Sequence, residues 1–400
     1  MSTTATTITA GAGITLQAKP SLITKGDESK IRTCLVTPED WVPPADFKFP
    51  DTMVEMPLNL RGPTEVPQKT QRDYAAENYE WTDYLPYSSV TGDLPLDAYD
   101  HIDPASRADP EKKSLFSVLG ERKDVTPNIG TEVGGQLSTL TDQQKDELAL
   151  YVAERGVVIF RNQDFLRRGT GFIKEFASHF GRLHVHQFGP HVRGNSELTV
   201  LLRDSDDSHF DNNAAGKLTT TGWHSDMTYE INPPGTTFLA CMTTPQSGGD
   251  TLYLNAMSAY DRLSEPMKKF LEGLTAIHEG TPQTAGARKS NIIRRPALDT
   301  VHPVIRKHPV TGRKGIFVTP TYVKKICELK QEESDAVLKM IFDHIKSGLD
   351  FHTRVKWEPG TIVLYDNRMV MHSVTLDYPL GEKVQRHMMR ITPQGERPSL

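Results

Sequence analysis

His224 and Asp226, in the stretch TTTGWHSDMTYEINPPG at 219–235, stand two positions apart just before an apolar run. In an extended chain successive side chains alternate faces, so residues at i and i+2 point the same way. An imidazole and a carboxylate on one face can grip one ion. A single His-x-Asp is weak evidence, because a surface pair at a strand start has the same spacing. A third donor comes from TIVLYDNRMVMHSV, where an apolar strand leads into His372, distant in sequence but able to lie on a facing strand. Two imidazoles and one carboxylate make the facial set of non-haem Fe(II) oxygenases, which leaves positions open for co-substrate and oxygen. Zinc can use the same three side chains.

The next cluster bears on that choice. VQRHMMRITPQ carries Arg386 and Arg390 four positions apart, and on a strand these share a face. A guanidinium is suited to capture a carboxylate or sulfonate through two parallel hydrogen bonds. Two of them beyond the third ligand imply two anionic ligands near the metal, or one dianionic ligand; the bland reading is a pair of solvated strand-edge charges. The LHVH pair, His184 and His186, could be a chelate of its own, but no matching carboxylate stands near it in the sequence.

Several elements must position these groups. TDQQKDELALYVAERG opens with Thr141 and Gln144 in capping-box spacing and predicts a helix ending at Gly156. A second helix is expected in GFIKEFASHFG, and a third in QEESDAVLKMIFDHIKSG, with Val337, Leu338, Ile341 and Ile345 on one side. Strands are expected at 157–160, 198–202, 236–243, 251–254, 316–318, 353–357, 361–366 and 386–392. Many short strands with few helices indicate an antiparallel sandwich or open barrel, mainly β with flanking helices, rather than a doubly wound parallel sheet.

Composition bounds the function. With 37% hydrophobic and 24% charged residues over 400 positions, the chain is of a soluble globular type and has no apolar run of spanning length. A formal charge of −5 offers no global attraction to nucleic acid or to an anionic membrane, so an anionic ligand must be caught locally. Cys34, Cys241 and Cys327 are too scattered for a disulfide framework and are expected to pack in the interior. The N-terminus has neither the basic start nor the apolar block of a signal peptide, which points to the cytoplasm. The region before residue 110 is Pro-rich yet carries Trp41, Trp81, Tyr84 and Tyr87, so an irregular arm wrapping the core is expected. The polar stretch 203–222 reads as a lid or a surface insertion, and 279–297 as a second such segment whose charge run can be a solvated face.

Taken in order, His224-x-Asp226, SGGDT ending at Thr251, YDNRMVMH ending at His372, and Arg386 with Arg390 resemble the taurine dioxygenase family of Fe(II)/2-oxoglutarate-dependent enzymes. The resemblance runs from about residue 127 to 393, and the N-terminal arm outside it is similar to extensions of fungal members. It implies a double-stranded β-helix (jelly-roll) core, with residues 1–110 as an extension and 111–400 as the dioxygenase domain. It also implies His224, Asp226 and His372 as ligands of Fe(II), and Thr251 and Arg386 as the grip on the distal carboxylate of 2-oxoglutarate. Arg390 then matches the arginine for the substrate anion, and His186 a histidine lining the substrate pocket. Oxygen, 2-oxoglutarate and a small anionic substrate such as a sulfonate would yield an oxidised C–H bond, succinate and CO2; an amino acid carboxylate substrate, ending in hydroxylation, desaturation or ring closure, is the alternative. Gly189 and Thr220 stand where taurine dioxygenase has a tyrosine and an asparagine, and bulky Met227 follows the ligand Asp, so recognition of the rest of the substrate differs. The resemblance is compatible with a homo-oligomer, for which the aromatic-bearing arm offers a surface.

Overall fold

The computed structural model describes residues 73–90, 96–187, 189–203, 222–280, 294, 298–378 and 385–400, with the backbone of short strand segments before residue 68. The architecture is mainly β with helices packed outside. The principal sheet runs Gly62–Pro67, Pro86–Val90, His191–Val192, Asn195–Arg203, Arg386–Ile391, Thr236–Thr243, Ile362–Asp366, Val157–Phe160, Thr131–Val133 and Arg122–Asp124. Its neighbours are antiparallel except for the pairing of Val157–Phe160 with Thr131–Val133. A second ladder, His352–Val355, Thr251–Asn255 and Val370–Val374, is antiparallel throughout.

Alternation explains why the strands are apolar on both sides. Val157, Ile159, Leu239, Cys241, Val363, Tyr365 and Met388 point inward and pack against Tyr253, Val355 and Trp357 of the second ladder or its end. The intervening residues Val158, Phe160, Phe238, Ala240, Leu364 and Met389 point outward and are covered by Leu148, Val152, Ile173 and Phe176 of the helices Asp142–Arg155 and Gly169–Ser178. A strand buried on both faces has no polar alternation to show, which is why VVIF is a continuous apolar run. The expected capping box is present: Thr141 Oγ1 accepts from the Gln144 backbone N–H and Gln144 Oε1 accepts from that of Thr141. Two orphan donors of the first turn are thereby satisfied.

The third predicted helix is Gln331–Ser347, with Leu338, Ile341 and Ile345 buried beneath a ladder of Thr275–Glu279, Leu298–Pro303 and Val323–Ile326. That ladder was not legible in the sequence, and the strand expected at 316–318 lies at Lys314–Ile316 instead. The arm is less irregular than its composition suggests. Pro86–Val90 pairs with His191–Val192 and so extends the principal sheet, while Trp81 and Tyr84 are buried in the core. Tyr87 is only half-buried, and Trp41 lies outside the described residues. Cys241 and Cys327 are buried free thiols with pKa values pushed by burial to about 12, in keeping with a packing role. Among the described residues no helix is long and apolar enough to cross a membrane.

Candidate active site

His224 does not begin a strand. It forms an isolated antiparallel bridge with His372, in which each backbone N–H donates to the other's carbonyl, at 3.0 and 2.7 Å. The chain then turns through Asp226, and Met227 adopts a left-handed φ of 43°. A β bridge plus a strained turn, rather than two extended residues, brings the first two donors together. Asn367 secures that turn: its Oδ1 accepts from the Asp226 backbone N–H at 2.6 Å and its Nδ2 donates to the Asp226 carbonyl at 2.9 Å.

The three side chains converge. His224, Asp226 and His372 can each offer one atom such that all lie within 4.8 Å of one another. Asp226 Oδ1 is 3.8 Å from His224 Nε2 and 3.8 Å from His372 Nε2. His224 Nδ1 donates to the Gly222 carbonyl at 2.7 Å, which fixes the tautomer with a lone pair on Nε2. Asp226 Oδ2 accepts from Tyr365 Oη at 2.6 Å and Oδ1 from Arg390 Nη1 at 2.6 Å. Burial alone would raise the Asp226 pKa, but Arg390, the two imidazoles and the Tyr365 hydroxyl outweigh it and hold the carboxyl well below the usual range. Burial, followed by the neighbouring His224, pushes the His372 imidazole down to about 3. An ionised Asp226 carboxylate and a neutral His372 imidazole are the protonation states that metal ligation requires of these two side chains.

Arg386 and Arg390 both lie on Arg386–Ile391, but they meet different partners. Arg386 is buried, donates from Nε to the Gly249 carbonyl at 3.1 Å, and has no ion pair among the described residues; its Nη2 is buried and unpartnered there. Gly248 and Gly249, at φ of 81° and 69°, make this approach feasible, since a Cβ on Gly249 would stand 3.2 Å from Arg386 Cδ and 3.0 Å from the Tyr378 ring. Thr251 is buried, and its hydroxyl accepts from Trp357 Nε1 at 3.0 Å. Arg390 is paired with Asp226, and its Nη2 also lies 3.9 Å from Met227 Sδ. Met227 is buried against Tyr229 and Tyr322, and the Tyr322 ring centroid is 5.9 Å from that of His224.

Other expectations fare differently. His184 is not half of a chelate with His186. Its Nε2 lies 3.0 Å from Oε1 of buried Glu230, a carboxylate that is absent from its sequence neighbourhood. His186 is buried, with its ring centroid 6.1 Å from that of His184. Gly189 has a φ of 89° and open space where a Cβ would stand. Thr220 lies outside the described residues, as does almost all of the expected lid at 203–222. Most of 279–297 lies outside them too, but Arg294 in that segment is buried rather than solvated, donating to the His186 carbonyl at 2.9 Å and the Gly189 carbonyl at 2.7 Å. Tyr365, Asn367 and Trp357 were missed as site residues. The first two were visible in YDNRMVMH beside His372, but nothing in their spacing reveals contact with Asp226.

Comparisons with known proteins place this geometry in a family. Residues 121–392 match the model of the family described as taurine catabolism dioxygenase TauD, TfdA family. The chain is 40% identical to an alpha-ketoglutarate-dependent sulfonate dioxygenase of Saccharomyces cerevisiae, over 82% of this chain and 81% of that protein. It is 42% identical to the alpha-ketoglutarate-dependent dioxygenase cnsP of Penicillium expansum, over 80% of this chain and 87% of that one. The crystal structure of a putative alpha-ketoglutarate-dependent taurine dioxygenase from Burkholderia xenovorans superposes with a TM-score of 0.57 at 30% identity, covering 70% of this chain and 93% of that one. The chain belongs to the TauD, TfdA family of dioxygenases. As an enzyme of that class it uses 2-oxoglutarate, dioxygen and a metal.

Proposed function

We propose that the protein is an Fe(II)- and 2-oxoglutarate-dependent dioxygenase that oxidises an unactivated C–H bond of a small anionic substrate, a sulfonate first among candidates. The observation that carries this reading is the placement of Asp226 Oδ1 at 3.8 Å from both ligand-competent imidazole nitrogens. In this reading His224, Asp226 and His372 hold Fe(II), at the mouth of a double-stranded β-helix formed by the two facing sheets, within a dioxygenase domain of residues 111–400. The donor set suits iron and leaves open positions for co-substrate and oxygen. Iron so held would supply the redox chemistry that links decarboxylation of 2-oxoglutarate, giving succinate and CO2, to oxidation of the substrate.

The chain's own residues do the rest by binding and orientation. Arg386, buried with no ion pair among the described residues, awaits a carboxylate, and the Thr251 hydroxyl adds a neutral donor nearby. Arg390, whose Nη1 is held on Asp226, is the cation that would meet the substrate anion with the rest of its fork, with His186, Gly189, Thr220 and Met227 shaping recognition. The sulfonate named for the yeast relative fits a guanidinium fork as well as a carboxylate does, so charge supports the class without choosing its member. Arg390 offsets the charge of Asp226 and Tyr365 donates a hydrogen bond to it, which together orient the carboxylate and keep it ionised. The test is anaerobic addition of Fe(II) and 2-oxoglutarate to the metal-free protein, monitored by visible absorption. A weak charge-transfer band that shifts with one candidate sulfonate is expected. Metal binding without any such band would overturn the reading.

A further inference from the structure

The turn that joins Ile362–Asp366 to Val370–Val374 binds Asp226 and leads into the strand that carries His372. Asn367 binds both backbone polar groups of Asp226, and its own backbone N–H donates to the Gly235 carbonyl at 2.9 Å. His372 lies on the strand that leaves the turn, and His224 is bridged to His372. Whatever holds this turn therefore sets the position of all three ligands.

Behind the turn sits a buried ionic cluster that the proposed chemistry does not use. Arg368 grips Asp366 with both sides of its fork, Nε to Oδ1 at 2.9 Å and Nη2 to Oδ2 at 2.7 Å. The remaining Nη1 reaches Asp103 and, at 3.2 Å, Glu396. Asp366 Oδ2 also accepts from His308 Nε2 at 2.9 Å, while His308 Nδ1 accepts two backbone N–H groups, so this imidazole is neutral. Arg306 closes the far side through Glu396. The cluster joins the segment before the first helix (Asp103), the metal-side turn (Asp366, Arg368) and the C-terminal tail (Glu396).

We propose that Arg368 is a positioning residue for the metal centre: by locking Asp366 in a bidentate pair tied to Asp103 and Glu396, it holds Asn367 where it clamps the backbone of Asp226. This rests on the ligand assignment made above. A guanidinium is needed because only a planar fork can engage one carboxylate through two bonds and still present a third N–H edge to two others. Lysine keeps the charge and loses that geometry. The side chain touches no ligand, so its effect passes through Asn367.

The experiment measures Co(II) affinity of the full-length metal-free protein by chelator competition, alongside thermal unfolding, for Arg368→Lys, Asn367→Ala, the double variant, Asp226→Ala and the remote core variant Leu148→Ala. Arg368→Lys and Asn367→Ala are each expected to weaken Co(II) binding tenfold or more, and the double variant to be no weaker than Asn367→Ala within threefold, because both act along one path. Leu148→Ala should lower the unfolding temperature and leave Co(II) affinity unchanged. Wild-type Co(II) affinity in Arg368→Lys, whatever its unfolding temperature, refutes the positioning role. If Arg368→Lys does not fold, Asp103→Asn, which alters the cluster at its rim, is read by the same criterion. Asp226→Ala separates the two ideas: undiminished Co(II) binding there overturns the ligand assignment itself, whereas its loss beside an unaffected Arg368→Lys overturns only the positioning.

Discussion

Arg386 should be worth more to binding than to folding, and the two effects should have opposite signs. Its guanidinium is buried, donates a hydrogen bond to the Gly249 carbonyl, and has no carboxylate partner among the described residues. Burial lowers its pKa, and Arg203, opposite it on the neighbouring strand, lowers it further. A buried charge without a counter-ion costs several kcal/mol of desolvation, and even replacing a buried ion pair by apolar residues of similar volume is often neutral or stabilising by roughly 1–4 kcal/mol. Arg386→Met should therefore raise the unfolding free energy of the ligand-free protein within that range. The same change removes a charge-assisted grip on a dicarboxylate, for which hydrogen bonds to charged groups contribute roughly 1.5–3 kcal/mol each. With about 1.4 kcal/mol per decade, two such bonds correspond to roughly a hundredfold to ten-thousandfold loss of 2-oxoglutarate affinity. Calorimetric unfolding of the ligand-free variant gives the first quantity. Titration of 2-oxoglutarate, with the KM from succinate release, gives the second. An Arg386→Met protein that is less stable than wild type yet binds 2-oxoglutarate normally would show that this arginine is a structural cation and that the co-substrate sits elsewhere.

Three further outcomes follow from the same geometry. Arg390→Ala should raise the KM for the anionic substrate by about ten- to a hundredfold, the scale of one lost charge-assisted pair, with little change in that for 2-oxoglutarate; the reverse pattern would show that the two arginines have exchanged roles. Tyr365→Phe removes the 2.6 Å hydrogen bond to Asp226 Oδ2, and a loss of about 1–2 kcal/mol predicts metal affinity reduced by roughly tenfold in chelator competition. Acid should weaken the fold before carboxylates titrate: burial holds His278 neutral with a pKa near 3 and His387 near 4, below the ordinary imidazole value of 6.5. The unfolded chain takes up these protons first, so stability is complete above about pH 6.5 and falls as pH drops toward the folded values, by about 1.4 kcal/mol per pH unit for each imidazole. Urea unfolding at pH 7, 6 and 5 measures the slope, and a flat profile would contradict it.

The two candidate ligand histidines, the carboxylate beside them and both arginines could be singled out from the chain because their chemistry resides in residue type and the strands carrying His372 and the arginines announce themselves by apolar pattern. The principal strands and the three longer helices were legible for the same local reason. The Thr275–Glu279 and Leu298–Pro303 strands were not, since they contain His278, Asp299 and His302, polar groups that are buried only because tertiary partners receive them. His278 bonds to Thr228, and His302 to the Glu230 carbonyl. No local pattern encodes such a partner.

What the sequence by itself determined is the inventory: which donors, which cations, and the strands able to carry most of them. The tertiary structure decided how they meet. His224 and Asp226 share a site through a bridge to His372 and a left-handed Met227, with Asn367 clamping the turn, not through strand alternation. Arg386 and Arg390 sit on one strand face yet face different fates, one buried with no ion pair among the described residues and one on Asp226. Asp103, Arg368 and Glu396 form one cluster across the length of the chain. Spacing along a chain constrains only neighbours within a few residues, whereas a charge buried hundreds of residues from its partner is satisfied by the fold alone.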